Sequence, residues 1–168
     1  PRECQNPRSQ TIVISDDHLR PSLAPNAPVI VIAPGYGQTA VDAMTLSYYL
    51  AHHRLRVLRY DHTNHVGLSD GELRQTTLRS MQADLLTVVE FVRQTWPTAP
   101  LIVMASDLTA RVALKMAGQG RPLDLLLLIN PVVDVQALLT AVYRHDLVAD
   151  HRNGVQRGIA NLLGLNVN

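Results

Sequence analysis

Two spacings of apolar residues alternate along this chain, and each spacing predicts an element. Val29-Ile30-Val31-Ile32-Ala33 is an unbroken run of strand length, the pattern of a central strand buried on both faces. Thr11 to Ser15 predicts a short strand, and Arg56-Val57-Leu58-Arg59-Tyr60, residues 101–105 and Leu123–Ile129 predict three more. Helical spacing separates them. Met44, Leu46, Tyr49 and Leu50 place a helix within Thr39 to His53. The clearest helix covers residues 76–95, where Leu78, Met81, Leu85, Leu86, Val89 and Val92 recur close to every 3.6 residues and Trp96-Pro97 stops the run. A further helix from about 108 to 118 closes on Gly118 and Gly120, and a last one is expected from Val135 to about Leu147. Alternating strands and helices with apolar strands predict an α/β, doubly wound, mostly parallel sheet with right-handed connections. Ligands of such sheets bind at the C-terminal strand ends.

The bulk numbers narrow the class of molecule. With 168 residues, 46% hydrophobic and only 17% charged, the chain can bury a core and is not of disordered type. Its net charge of +1, with acids and bases interspersed, supplies no basic stripe for nucleic acid and no polybasic anchor. Cys4 is the single cysteine, so no intramolecular disulfide forms, which suits a cytoplasmic location. No apolar run reaches membrane-spanning length and no signal-peptide layout opens the chain. Residues 1–10 are polar and are expected to be a flexible lead-in, with the main domain over 11–150 and a lid or linker starting in 151–168. An opening proline suits a piece of a longer polypeptide.

Three loops should gather at the C-terminal strand ends. Pro34-Gly35-Tyr36-Gly37-Gln38 can point backbone N–H groups at a ligand, or can be a turn that merely needs glycine. It lacks the third glycine of a dinucleotide fingerprint. The loop from Tyr60-Asp61-His62 through Asn64-His65-Val66-Gly67-Leu68-Ser69-Asp70-Gly71 offers two histidines and two aspartates. No convincing ligand framework accompanies them, so no metal is expected; the better reading is a turn-rich loop whose side chains bond their own backbone. The third loop runs from the strand at 101–105 into the next helix through small-x-Asp-x-small: Ala105, Asp107 and Thr109. A sharp strand-to-helix elbow needs small residues two before and two after its apex. Centring it on Ser106 would put Met104 and Leu108 there, so Asp107 is the expected apex and Ser106 the weaker candidate.

Arg59-Tyr60-Asp61 followed by His65-Val66-Gly67-Leu68-Ser69 resembles the post-strand segment of α/β-hydrolases. More narrowly, with Ala105-Ser106-Asp107-Leu108-Thr109-Ala110-Arg111-Val112-Ala113, it is similar to the myristoyl-acyl-carrier-protein thioesterase (acyltransferase) family of bacterial luminescence. The likeness runs over roughly residues 27–150 and implies the N-terminal portion of an α/β-hydrolase-type domain. It implies acyl-thioester or ester hydrolysis or acyl transfer by Ser–His–Asp chemistry, with no cofactor. Transferred to this chain, backbone N–H groups of Tyr36 and Leu108 form the oxyanion hole, and Gly35, Gly37 and Gln38 line the substrate. The family's serine falls on Asp107, and its acid and histidine lie on later strands.

That aspartate changes the chemistry. Carboxylate attack on a thioester gives a mixed anhydride, whereas aspartate nucleophiles suit displacement at tetrahedral carbon, as with epoxide or halide substrates. The halide branch follows its aspartate with tryptophan; here Leu108 follows. Asp134 is a weak candidate acid and the better reading is a helix cap. His145 and His151 are spaced as solvent-facing residues. Two function classes stay open: an acyl hydrolase or acyltransferase domain, within fatty-acid or polyketide machinery and served by an acyl carrier protein, or an inactive module that binds an acyl chain, a carrier protein or a neighbouring domain. With about five strands of an eight-stranded fold in view, a sheet edge is expected to need cover from a further segment or partner.

Overall fold

The computed structural model describes residues 2–17, 23–121, 123–155, 160–162 and 165–167. Two compact units divide the chain, Pro1–Pro131 and Val132–Asn168. In the first, strands β1 (Arg2–Gln5), β2 (Thr11–Asp17), β3 (Val29–Ala33), β4 (Arg56–Tyr60), β5 (Leu101–Ser106) and β6 (Leu125–Ile129) form one sheet in the order β1-β2-β4-β3-β5-β6. β4, β3, β5 and β6 run parallel, while β1 and β2 are antiparallel additions at one side. β3 is central and buried throughout, as its unbroken apolar run requires.

Helices cover both faces. On one, α2 (Leu78–Thr95) and α3 (Asp107–Gly118) pack Leu85, Val88, Val92, Ala113 and Met116 against Val29, Val31, Leu58 and Val103. On the other, α1 (Met44–His52) packs Ala51 and Leu50 on Ile30, Ile32 and Val57. The alternation of Val29 and Val31 with Ile30 and Ile32 is the period-2 side-chain rule at work. α2 starts where Thr77 Oγ1 accepts the Ser80 N–H and Ser80 Oγ accepts the Thr77 N–H, a reciprocal cap built with serine in place of the usual Glu or Gln.

Residues 1–10 are not wholly a lead-in. Arg2–Gln5 pairs with β2, and the turn that joins them is held by Asn6, whose Oδ1 accepts the N–H groups of Arg8 and Gln10. Exposed on most of its positions, β1 has no apolar alternation to reveal it. In the second unit the helix expected from Val135 to about Leu147 ends sooner: α4 (Val135–Tyr143) stops at Arg144 in the left-handed region, and a separate α5 (Leu147–Arg152) starts under an Asp146 cap. Short strands at Ala160–Leu162 and Leu165–Val167 pair antiparallel there; residues 156–159, 163, 164 and 168 of the expected lid segment lie outside the described residues.

Candidate active site

Parallel pairing of β4, β3 and β5 brings Asp61, Pro34 and Ser106 to one edge of the sheet. The loop after β4 is fastened there by its own polar groups. Asp61 accepts the N–H of Ala40 at 2.6 Å and of Leu68 at 2.8 Å, joining the turn after β3 to its own loop. Gly67 sits at φ +121°, and a Cβ on it would lie 2.4 Å from Asp61 Cγ. Ser69 Oγ donates to the Asp61 carbonyl and accepts the Val13 N–H. His65 Nε2 accepts the Gly37 N–H at 3.2 Å, and its ring meets Tyr36 edge-on. Burial, helped by nearby His62 and opposed by Asp61, pushes the His65 imidazole down to about 4, so it is neutral and able to accept at pH 7. The motif thus serves the fold. Among the described residues no three His, Cys, Asp or Glu side chains gather as a metal site would need.

The turn after β5 differs. Ser106 ends the strand in extended conformation and Asp107 follows at φ +51° as the first residue of α3. A non-glycine residue there costs about 1 kcal/mol or more, aspartate being among the residues that tolerate it best. The flanking small residues are required: Ala105 and Thr109 are buried, and Thr109 Oγ1 donates to the Pro34 carbonyl at 2.6 Å. Gly35 lies so close that a Cβ on it would stand 2.4 Å from Asp107 Oδ2 and 2.9 Å from Ser106 Oγ and Gln38 Oε1. Burial raises the Asp107 carboxyl above the usual carboxylate range, and among the described residues nothing hydrogen-bonds to it.

Of the other sequence candidates, Gln38, Ser106 and Leu108 stand at this turn. Gln38 Oε1 accepts the Gly35 N–H at 2.8 Å and the Ser106 hydroxyl at 3.2 Å, so Gln38 brackets the turn and Ser106 is spent on it. Leu108 is the second residue of α3, and its N–H therefore has no intrahelical acceptor. Beside the turn, on the α1 side, a pocket of about 200 Å³ is lined by Ile32, Leu46, Met104 and Ile129, with Gln38, Thr39 and Ser106 at its polar part. Asp134, in the second unit, accepts the Ala137 N–H and caps α4; His145 and His151 in that unit are exposed. Residues that sequence reasoning passed over are Asp84 and Asn6, both buried and hydrogen-bonded. Asp84 left a signal, a carboxylate on the apolar stripe of α2 between Met81, Leu85 and Val88.

Comparison with known proteins agrees with this architecture. The family described as acyl transferase matches residues 8–155. An acyl transferase of Photobacterium leiognathi is 35% identical over 119 residues, which are 70% of this chain and 36% of the relative. One from Aliivibrio fischeri is 31% identical over 134 residues, 79% of this chain and 40% of the relative. The chain thus spans about two fifths of the length of these curated relatives. Among solved structures, Est1E from Butyrivibrio proteoclasticus, determined with ferulic acid bound, superposes with a TM-score of 0.71 at 16% identity, covering 84% of this chain and 57% of that one. A protein from Agrobacterium vitis S4 gives 0.68 at 17% identity, covering 94% and 60%. At such identities the structures establish the fold alone, an α/β-hydrolase-type sheet. By its sequence, this chain belongs to the acyl transferase family.

Proposed function

We propose that the chain supplies the elbow and oxyanion side of an acyl-group site, of the ester or thioester hydrolase or acyltransferase kind, with Asp107 at the nucleophile position. One observation carries this reading: Asp107 stands left-handed at the apex of a strand-to-helix turn, with its carboxylate close against Gly35. In an acyl transfer at such a turn, the backbone N–H groups of Leu108 and Tyr36 would receive the developing oxyanion. The acyl donor would be an ester or an acyl thioester, an acyl carrier protein being the candidate macromolecular donor.

A second reading is favoured by the carboxylate itself. Attack by Asp107 on an acyl group would give a mixed anhydride, no described residue hydrogen-bonds to its carboxylate, and Ser106 donates its hydroxyl to Gln38. On this reading the chain binds an acyl chain or its carrier without turnover. No helix among the described residues is long and apolar enough to cross a membrane, and a cytoplasmic setting would keep Cys4 a thiol.

Hydrolysis of acyl thioesters and nitrophenyl esters by the full chain, by Asp107→Ser and by Asp107→Asn separates the readings. Native activity lost in Asp107→Asn makes the aspartate a working nucleophile. Activity that appears only in Asp107→Ser identifies a vestigial acyl site. Saturable acyl-thioester binding without turnover in any variant supports the module, and absence of both binding and turnover refutes the acyl-site reading.

A further inference from the structure

A buried polar chain meets behind the elbow, assembled from four elements, and the acyl chemistry above makes no use of it. His62, 1% exposed, stands at its centre. Its Nε2 lies 3.3 Å from Thr109 Oγ1 and 3.5 Å from the Tyr60 hydroxyl, while Nδ1 faces Asp84 Oδ2 at 3.5 Å without a hydrogen bond. The Thr109 hydroxyl has one proton and donates it to the Pro34 carbonyl at 2.6 Å. Thr109 can then meet His62 only as an acceptor, so the proton between them belongs on Nε2. Asp84 is fully buried and is held as an acceptor by Asn6 Nδ2 at 3.0 Å, the Thr63 N–H at 2.8 Å and the Thr63 hydroxyl at 2.9 Å.

We propose that His62 is a positioning residue: through Thr109 it holds the Pro34–Gly35 turn against the Asp107 elbow. This rests on the reading of the Gly35–Asp107 turn as an acyl site. Thr109 is two residues past Asp107 and Pro34 is one before Gly35, so the Thr109–Pro34 bond sets the separation of the two backbones that would grip an acyl carbonyl. Gly35 lies in close approach to the Asp107, Gln38 and Ser106 side chains, so a small loosening there changes the geometry on which an acyl transfer depends. The order carboxylate, imidazole, hydroxyl imitates a nucleophilic triad. It is not one, because Thr109 is fully buried and its proton is committed to Pro34.

The titratable groups facing His62 are Asp84 from α2, Tyr60 from β4 and His65 from its own loop, whose ring centre is 6.3 Å away. Burial and Asp84 push the Tyr60 hydroxyl up, and the same two causes push the Cys4 thiol on β1 up to about 11, so both are neutral at pH 7.

Histidine ring ¹⁵N spectra of the full chain test the proton's place: His62 is expected to carry it on Nε2, and a bare Nε2 overturns the proposal. Amide exchange tests the positioning. Thr109→Val keeps the shape and removes the hydroxyl; Thr109→Ser keeps the hydroxyl. The hydrogen-bonded amides of Gly35, Gly37 and Gln38 should exchange about tenfold faster in Thr109→Val, those of β3 and β5 should not, and Thr109→Ser should restore protection. Uniform acceleration, or none, overturns the proposal. If Thr109→Val does not fold, the ring spectra of the native chain decide. In an Asp107→Ser background that turns over esters, Thr109→Val should lower kcat about tenfold with KM unchanged. If no variant turns over or binds acyl groups, the acyl-site reading fails by itself, while the exchange pattern still decides whether the Thr109–Pro34 bond locks the turn and the ring spectra whether His62 donates to it.

Discussion

Two loops at the same sheet edge spend their polar groups in opposite ways. The loop after β4 carries the residues that look most like chemistry, and nearly all of them bond to backbone. Asp61 takes two N–H groups, Ser69 bridges Asp61 and Val13, His65 takes Gly37, and Asp70 takes the Thr11 N–H at 2.7 Å. The turn after β5 looks plain, yet it holds a left-handed aspartate whose carboxylate takes no hydrogen bond among the described residues. Polar groups that a fold has already satisfied are scaffolding. One left open at a strand end, at a cost in backbone strain, is where a ligand has something to meet.

The sharpest way to break this comparison is Asp61→Ala. It strips two backbone N–H groups of a charged acceptor and unfastens the turn after β3 from the β4 loop. Hydrogen bonds to charged groups contribute roughly 1.5–3 kcal/mol each, so urea unfolding should show a loss of about 3 kcal/mol. A loss under about 1 kcal/mol would mean that the loop is not held as described. Asp61→Asn keeps one side-chain acceptor and should fall between.

These residues also show what a sequence can reveal about such a site. β3, β4, α2 and α3 were legible because apolar periodicity is written by burial, and each of them buries a face. β1 was not, since a mostly exposed edge strand has no such face. The break at Arg144 was hidden because Val135 to Leu147 keeps helical spacing on both sides of it. At the site, Asp107 could be placed from its small neighbours, whose spacing is a steric rule. The bracket of Gln38 on Gly35 and Ser106, and the chain from Asp84 to Pro34, join residues 68 and 75 positions apart or meet across four elements; no local pattern encodes them.

Gly35→Ala tests the open side of the comparison. The added Cβ meets only side-chain ends, those of Asp107, Gln38 and Ser106, which can swing away. Stability should therefore fall by only about 1 kcal/mol in thermal or urea unfolding. Acyl-thioester binding, or turnover in the Asp107→Ser background, should fall at least tenfold. Equal binding in the alanine variant would remove Gly35 from the site.

The satisfied side has a pH signature. His65 is pushed down in the folded state from its ordinary 6.5 to about 4 by burial, so the unfolded chain binds its proton first. Its contribution to stability is present above pH 6.5 and is lost as pH falls from 6.5 through about 4. Denaturant unfolding at a series of pH values should show this slope in the native chain and a shallower one in His65→Gln, which can still accept the Gly37 N–H. An unchanged slope would assign it to other groups.

The smallest effect is also the most diagnostic, because at Asp107 the expected sign reverses. Asp107→Gly removes a Cβ from a left-handed position, together with a carboxyl that burial raises above its ordinary value. Set against glycine's greater loss of entropy on folding, the strain relieved leaves a gain of about 0.5–1 kcal/mol. Asp107→Asn separates charge from strain, since asparagine tolerates the same backbone. A carboxyl raised in the folded state adds stability below the ordinary 3.8 and loses it as pH rises through the folded value. The asparagine variant should therefore be the more stable at pH 7 and lose that advantage below about pH 4. A destabilised asparagine variant at pH 7 would show that the carboxylate is bonded in solution. The two loops would then be alike, and the case for an open polar group at the elbow would fall.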